Sequence, residues 1–288
     1  MSQTEQPATW RCGRFLFDWS KLTKPLVMGI LNATPDSFSD GGRYRSTDDA
    51  IAHAHSMIAD GVDIIDIGGE STRPGAEPVS LQEELDRVLP VIEALQGCGV
   101  ALSIDTYKAQ TMRYALHAGV DCVNDIWALR QVGAVDAVCE SVDCGVVIMH
   151  MQRDPLTMQF NPEYQNVLVE VLEFLQAQAA GLELRGVASN RIAIDPGFGF
   201  GKSLEHNIEM LAQFQVFTKT RYPVLAGISR KSMLGKITGR ESSERLAPSI
   251  AAALMAADRG AKIVRVHDVA QTVDALKVWE AVRYSSVL

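Results

Sequence analysis

The sequence contains no C-x-x-C pair, and its five cysteines, at 12, 98, 122, 139 and 144, are an odd number. Neither a zinc site nor a disulfide framework is suggested, and reduced, buried thiols are the expectation. Positive charge is in deficit, with 27 Lys and Arg against 35 Asp and Glu for a formal charge of -8. That argues against a generic nucleic-acid or anionic-membrane binder, which needs a cationic surface, so any bound anion must meet a local basic cluster. Long apolar runs are missing too. The longest, "IAAALMAA" at 250 to 257, is much too short to cross a bilayer. The first 25 residues lack the basic start and apolar stretch of a signal peptide, so the cytoplasm is the expected location. No Pro/Ser-rich linker divides the 288 residues, and a composition of 47% hydrophobic and 22% charged residues is globular. A single domain is expected.

One near-motif fails on counting. "IAIDPGFGFGKS", residues 192 to 203, looks like a nucleotide-binding P-loop, but Pro196 stands where the first glycine belongs. What remains reads as a strand, Ile192 to Ile194, delivering Asp195 to a mobile edge, followed by a flexible loop that carries Lys202.

Short apolar, β-branched runs recur along the chain. They are "VMGILN" from 27, "VDIIDIGG" from 62, "VALSID" from 100, "DCVNDI" from 121, "GVVIMH" from 145, "RIAIDP" from 191, "PVLAGIS" from 223 and "KIVRVHD" from 262. The spacing suits strand-helix-strand units. In one intervening segment Ser80 and Glu83 form a possible capping box, Leu81, Leu85, Val88, Leu89, Ile92 and Leu95 make one apolar face, and Pro90 is expected to kink the helix. Runs apolar on both faces require a parallel sheet covered by helices. The expected fold is therefore α/β, a (β/α)8 TIM barrel over residues 25–288, with residues 1–24 as a short N-terminal extension or cap.

The carboxyl ends of the runs are all polar: Asn32, Asp66 with Glu70, Asp105, Asn124 with Asp125, His150, Asp195, Ser229 with Lys231, and Arg265 with His267. In a barrel these ends converge on the face where active sites lie. Asp105, Asn124 and Asp195 could present acceptors and an amide to a flat heterocycle, with Lys231 on a ring carbonyl and Arg265 lying flat against the ring. Arg73, Lys231, Arg265 and His267, joined by Asn32, would suit a phosphorylated leaving group with a divalent metal. Arg265 and His267, two residues apart, share a strand face. The long connections 33–46 and 71–80, the first carrying Phe38, are either solvated loops or lids over the site. His53 and His55 lie in a helical stretch and face different directions, so no metal is expected there. Met149 and Met151 are expected to pack, Met149 on the pocket side, and His206 to lie on a helix surface.

The blocks "GILNATPDSFSDGG", "DIIDIGGESTRPGA", "SIDTYKA", "VNDIW", "VIMHMQ", "IAIDPGFGFGKS", "GISRKSMLG" and "IVRVHDV" together resemble the bacterial dihydropteroate synthase family over roughly residues 25 to 270. The resemblance implies a (β/α)8 homodimer that joins p-aminobenzoate to 6-hydroxymethyl-7,8-dihydropterin diphosphate with Mg2+, releasing diphosphate by an SN1-like displacement. It implies a pterin pocket of Asp105, Asn124, Met149, Asp195, Lys231 and Arg265, and a diphosphate and metal site of Asn32, Arg265 and His267. The aminobenzoate site would be Phe38, Thr72, Arg73, Pro74, Phe200, Lys231 and Ser232. Arg153 departs from the family pattern, which has a small residue there. A methyltetrahydrofolate:corrinoid methyltransferase would keep the pterin residues but has no use for a diphosphate clamp. A non-catalytic pterin-binding protein would need neither Lys231 nor the connecting loops.

Overall fold

The structure is a computed structural model describing residues 8–33, 47–71, 78–154, 158, 160 and 162–285. A hairpin of β1 (Thr9–Cys12) and β2 (Phe15–Asp18) precedes eight parallel strands: β3 (Leu26–Asn32), β4 (Ile64–Gly68), β5 (Ala101–Asp105), β6 (Cys122–Asp125), β7 (Gly145–Met149), β8 (Ile192–Asp195), β9 (Leu225–Ala226) and β10 (Ile263–Val266). Between and after them run α1 (Thr47–Ala59), α2 (Leu81–Ala94), α3 (Ala109–His117), α4 (Ala134–Cys139), α5 (Val167–Leu184), α6 (Leu204–Ala212), α7 (Ser232–Thr238), α8 (Leu246–Asp258) and α9 (Val269–Arg283).

Sheet order is β8-β7-β6-β5-β4-β3-β10-β9, and a bridge between Ile194 and Val224 closes the ring. This is the expected (β/α)8 barrel. The seventh run forms only two residues of strand, because Pro223 has no N–H for the ladder and Gly227 follows at once.

Strand alternation divides the core. Val27, Ile65, Leu102, Val123, Val146, Ile192, Val224 and Val264 point out toward the helices. Met28, Ile64, Ala101, Cys122, Val147, Ala193, Leu225 and Ile263 fill the barrel interior together with Trp10 and Cys12 of the hairpin. The N-terminal residues thus plug the lower mouth. Trp10 is fully buried and donates its indole N–H to the Arg191 carbonyl at 3.1 Å. Arg14 grips Asp121 with two bonds of 2.8 Å. All five cysteines are free thiols, three of them buried.

The helix caps follow local chemistry. Ser80 Oγ accepts from the Glu83 N–H at 3.2 Å, but the Glu83 carboxylate turns to Arg87 instead of closing the box. Pro90 sits inside α2 without ending it. Asn166 caps α5 through the Val169 N–H at 3.1 Å. Among the described residues no helix is long and apolar enough to cross a membrane.

Candidate active site

Two residues beyond each interior-filling side chain, the same inward face carries Ile30, Asp66, Ser103, Asn124, Met149, Asp195, Gly227 and Arg265. Below this level the barrel is hydrocarbon; here it becomes polar. A cavity of about 610 Å³ opens above it, and Asn32, Asp105, Phe200, Lys231, Ser232, Arg265 and His267 all line it. Asn124 pairs in register with Asp105, and Met149 with Asp195. Phe38, Thr72, Arg73 and Pro74 lie outside the described residues.

Not every strand-end polar residue faces this cavity. Asp125 and His150 have the opposite parity and turn toward the helices. Asp125 caps the next turn by accepting from the Trp127 and Leu129 N–H groups, each at 2.8 Å. His150 is buried edge-on to Phe174 with ring centroids 5.0 Å apart.

Arg265 is the electrostatic centre. Its Nε donates to Asp66 Oδ2 and its Nη2 to Asp105 Oδ2, both at 2.6 Å, so two carboxylates hold it. Asp66 Oδ2 also accepts from Asn124 Nδ2 at 2.9 Å. Asp66 is fully buried; the sequence shows it as a polar strand end, and the arginine opposite it becomes visible only in the closed barrel. The remaining oxygens, Oδ1 of Asp66 and of Asp105, are buried with no hydrogen-bond donor among the described residues. A buried acceptor left unpaired costs about 1–3 kcal/mol, so these atoms favour a ligand bearing N–H groups. Burial pushes the Asp105 carboxyl upward against the pull of Arg265. Burial likewise raises Asp195, opposed first by the Gly197 N–H, which it accepts at 2.7 Å. Burial works against the Arg265 charge, but Asp66 and Asp105 more than restore it.

Lys231 directly precedes α7 and places Nζ 4.1 Å from the centre of the Phe200 ring. Its neighbour Arg230 takes a left-handed φ of 56° and is held by Asp268 at 2.5 Å. Ser229 Oγ accepts from the His267 backbone N–H at 3.2 Å and lies 3.0 Å from its Nδ1. The hydroxyl can therefore donate to Nδ1, leaving the proton of a neutral ring on Nε2. Glu70 accepts from Lys108 at 2.5 Å and from the Val79 N–H at 3.1 Å, tying together the chain on the two sides of residues 72–77.

One expectation is corrected. Lys202 is buried, not carried on a flexible loop; its Nζ contacts His150 Nδ1 at 3.0 Å and three backbone carbonyls. His206 is half-buried and completes a capping box with Ser203 at the start of α6. Arg153 occupies a left-handed position, φ 64°, and its guanidinium donates to the Phe160 carbonyl at 2.7 Å.

An inward ring of buried carboxylates, an amide and an arginine at the upper mouth of a parallel barrel defines a site for a flat, donor-rich heterocycle. The sequence matches the family described as "Pterin binding enzyme" over residues 28–267. The dihydropteroate synthase of Neisseria meningitidis serogroup C is 50% identical over 276 residues, covering 94% of this chain and 96% of its own. Burkholderia cenocepacia dihydropteroate synthase, solved in complex with 7,8-dihydropteroate, is 52% identical with a TM-score of 0.89, covering 98% of this chain and 99% of that one. The Xanthomonas albilineans enzyme, solved with 4-aminobenzoic acid, is 47% identical with a TM-score of 0.88, covering 96% and 98%. The chain belongs to the pterin binding enzymes and, within them, to the dihydropteroate synthases, which are transferases.

Proposed function

We propose that the cavity joins p-aminobenzoate to 6-hydroxymethyl-7,8-dihydropterin diphosphate with the residue roles that follow. Asp105, Asn124 and Asp195 bind the polar edge of the pterin, Met149 lines its pocket, and Lys231 contacts its ring carbonyl. Arg265 covers the ring and, with Asn32 and His267, faces the diphosphate. Phe200, Lys231 and Ser232 flank the aminobenzoate; Phe38, Thr72, Arg73 and Pro74 are proposed for the same subsite. The observation that carries this reading is the pair of buried carboxylate oxygens of Asp66 and Asp105 beside Arg265, which have no donor among the described residues.

The chemistry is positional and electrostatic. The C–O bond of the pterin methylene breaks with its electron pair remaining on diphosphate, the dihydropterin nitrogens stabilise the methylene cation, and the aniline lone pair forms the new C–N bond as a proton leaves nitrogen. No protein nucleophile is required; Arg265 and Lys231 supply positive charge where negative charge develops. Among the described residues no group of three or more His, Cys, Asp and Glu could hold a metal. In this proposal a Mg2+ would be held with diphosphate by the Asn32 amide oxygen, a hard donor that lines the cavity as His267 does. When bound, that ion supplies charge neutralisation for the departing diphosphate.

A homodimer and a cytoplasmic setting are part of the proposal; exposed Ile237 on α7 and Met255 on α8 are apolar surface that a second copy would cover, and light scattering measures the assembly. Diphosphate release, followed with and without p-aminobenzoate alongside dihydropteroate detection, tests the reaction. Product that depends on both substrates supports it, and tight pterin binding without condensation refutes it. Arg265→Ala is expected to lose pterin affinity and turnover together.

A further inference from the structure

The segment that imitates a P-loop has a different use for its lysine. Between β8 and α6 the chain turns on three glycines in the left-handed region, Gly197 at φ 73°, Gly199 at 78° and Gly201 at 63°. The carbonyls of Gly197 and Phe200 point at one atom, Lys202 Nζ, at 2.9 and 3.0 Å. From the end of β7, the His150 carbonyl and His150 Nδ1 approach the same atom at 3.2 and 3.0 Å. An ammonium carries three donors and no acceptor, and here it is enclosed by four acceptors with 4% of the residue exposed. Enclosed in this way, Nζ is committed to the protein and is not a phosphate ligand. Without it, the Phe200 carbonyl would lose this donor in a buried setting, which is costly, while the Gly197 carbonyl would keep the Phe200 N–H at 3.2 Å.

What this lysine organises is the position of Phe200. On either side of that residue the backbone is fixed: the Gly199 N–H donates to Asn207 Oδ1 at 2.8 Å, and the Gly201 carbonyl accepts from Tyr164 at 2.8 Å. The Phe200 ring packs with Ile126, Met149 and Met158 and lies under Lys231 Nζ. Gly199 sits so close to the Lys231 stem that a Cβ there would come within 3.2 Å of Cδ. A shift of the loop therefore moves both Phe200 and the lysine beside it.

We propose that Lys202 is a positioning residue for the aminobenzoate subsite, holding the 197–200 turn against the end of β7 so that Phe200 and Lys231 keep their spacing. The proposal rests on the assignment of Phe200 to that subsite. Lys202→Met, which keeps the stem and removes the amine, is expected to raise the KM for p-aminobenzoate by about ten- to a hundredfold, the scale of a misplacement near 1 Å. The dissociation constant for a pterin analogue, measured by calorimetry without aminobenzoate, is expected to rise by a smaller factor than that KM, because Asp105, Asn124 and Arg265 stand on other strands. Lys202→Gln, which fits a polar pocket with fewer donors, should fold and give an intermediate rise. If folded Lys202→Gln keeps the wild-type KM for p-aminobenzoate, or if both ligands weaken equally in step with a fall in Tm, the positioning role is wrong. Phe200→Leu separates the two levels. If it leaves the aminobenzoate KM unchanged, the assignment of Phe200 fails; if it raises that KM while the Lys202 variants do not, only the role of Lys202 fails.

Discussion

Asp66 Oδ2 and Arg265 Nε lie 2.6 Å apart in the barrel interior, across 199 residues of sequence. The same oxygen accepts the Asn124 amide, so one carboxylate orients two of the groups assigned to the pterin. Asp66→Asn is expected to lower pterin affinity at least tenfold and to destabilise the fold. Removing one member of a buried pair costs about 3–5 kcal/mol, and the lower end applies because Asp105 still holds Arg265. Calorimetric titration with a pterin analogue and urea unfolding check the two effects.

Gly197 combines a φ of 73° with a built Cβ position only 2.0 Å from the His150 carbonyl oxygen. Backbone cannot yield as a flexible side chain would. Gly197→Ala is expected to destabilise by more than about 4 kcal/mol, in the tail of single-substitution effects, and thermal unfolding of the purified variant is the measurement.

Burial pushes the Lys202 ammonium down to about 7 from 10.5, with Asp195 opposing and Lys231 adding to the shift. The folded chain then binds that proton more weakly than the unfolded chain. Between those two pH values the unfolded state carries the extra proton, so this residue makes stability rise with pH, and its contribution is constant below the lower value. The adjoining His150 is neutral throughout, pushed down to about 2 by burial and then by Lys202, and burial raises the Tyr164 phenol. Urea midpoints measured across this interval should lose that slope in Lys202→Met.

Trp10 fills the lower mouth of the barrel, far from the catalytic face. Trp10→Ala is expected to cost about 3–5 kcal/mol of stability while leaving the KM values of both substrates unchanged at a temperature where the variant is folded. Denaturant unfolding and steady-state kinetics on one preparation separate the two.

The fold was legible because its signal is local. Eight apolar runs with polar ends, separated by segments long enough for a helix, can be counted in the sequence, and parallel pairing demands that spacing. The polar ends also include Asn32, Asp105, Asn124, Asp195, Lys231, Arg265 and His267. The errors came where one residue of register matters. Asp125 and His150 look equivalent to Asn124 and Met149 in a string of letters, yet strand alternation turns them toward the helices. Asp66 stands among the polar ends without a role, because a carboxylate in an apolar run declares no partner and Arg265 is brought beside it only by barrel closure.

Alternation, strand-end chemistry and the broken P-loop count were decided by the sequence alone, since each depends on neighbours a few residues apart. Tertiary structure decided the rest: which carboxylate meets Arg265, which face His150 takes, and that Lys202 is enclosed rather than mobile. Those outcomes depend on desolvation and on acceptors contributed by distant strands, and burial becomes a property of a residue only once the barrel has closed around it.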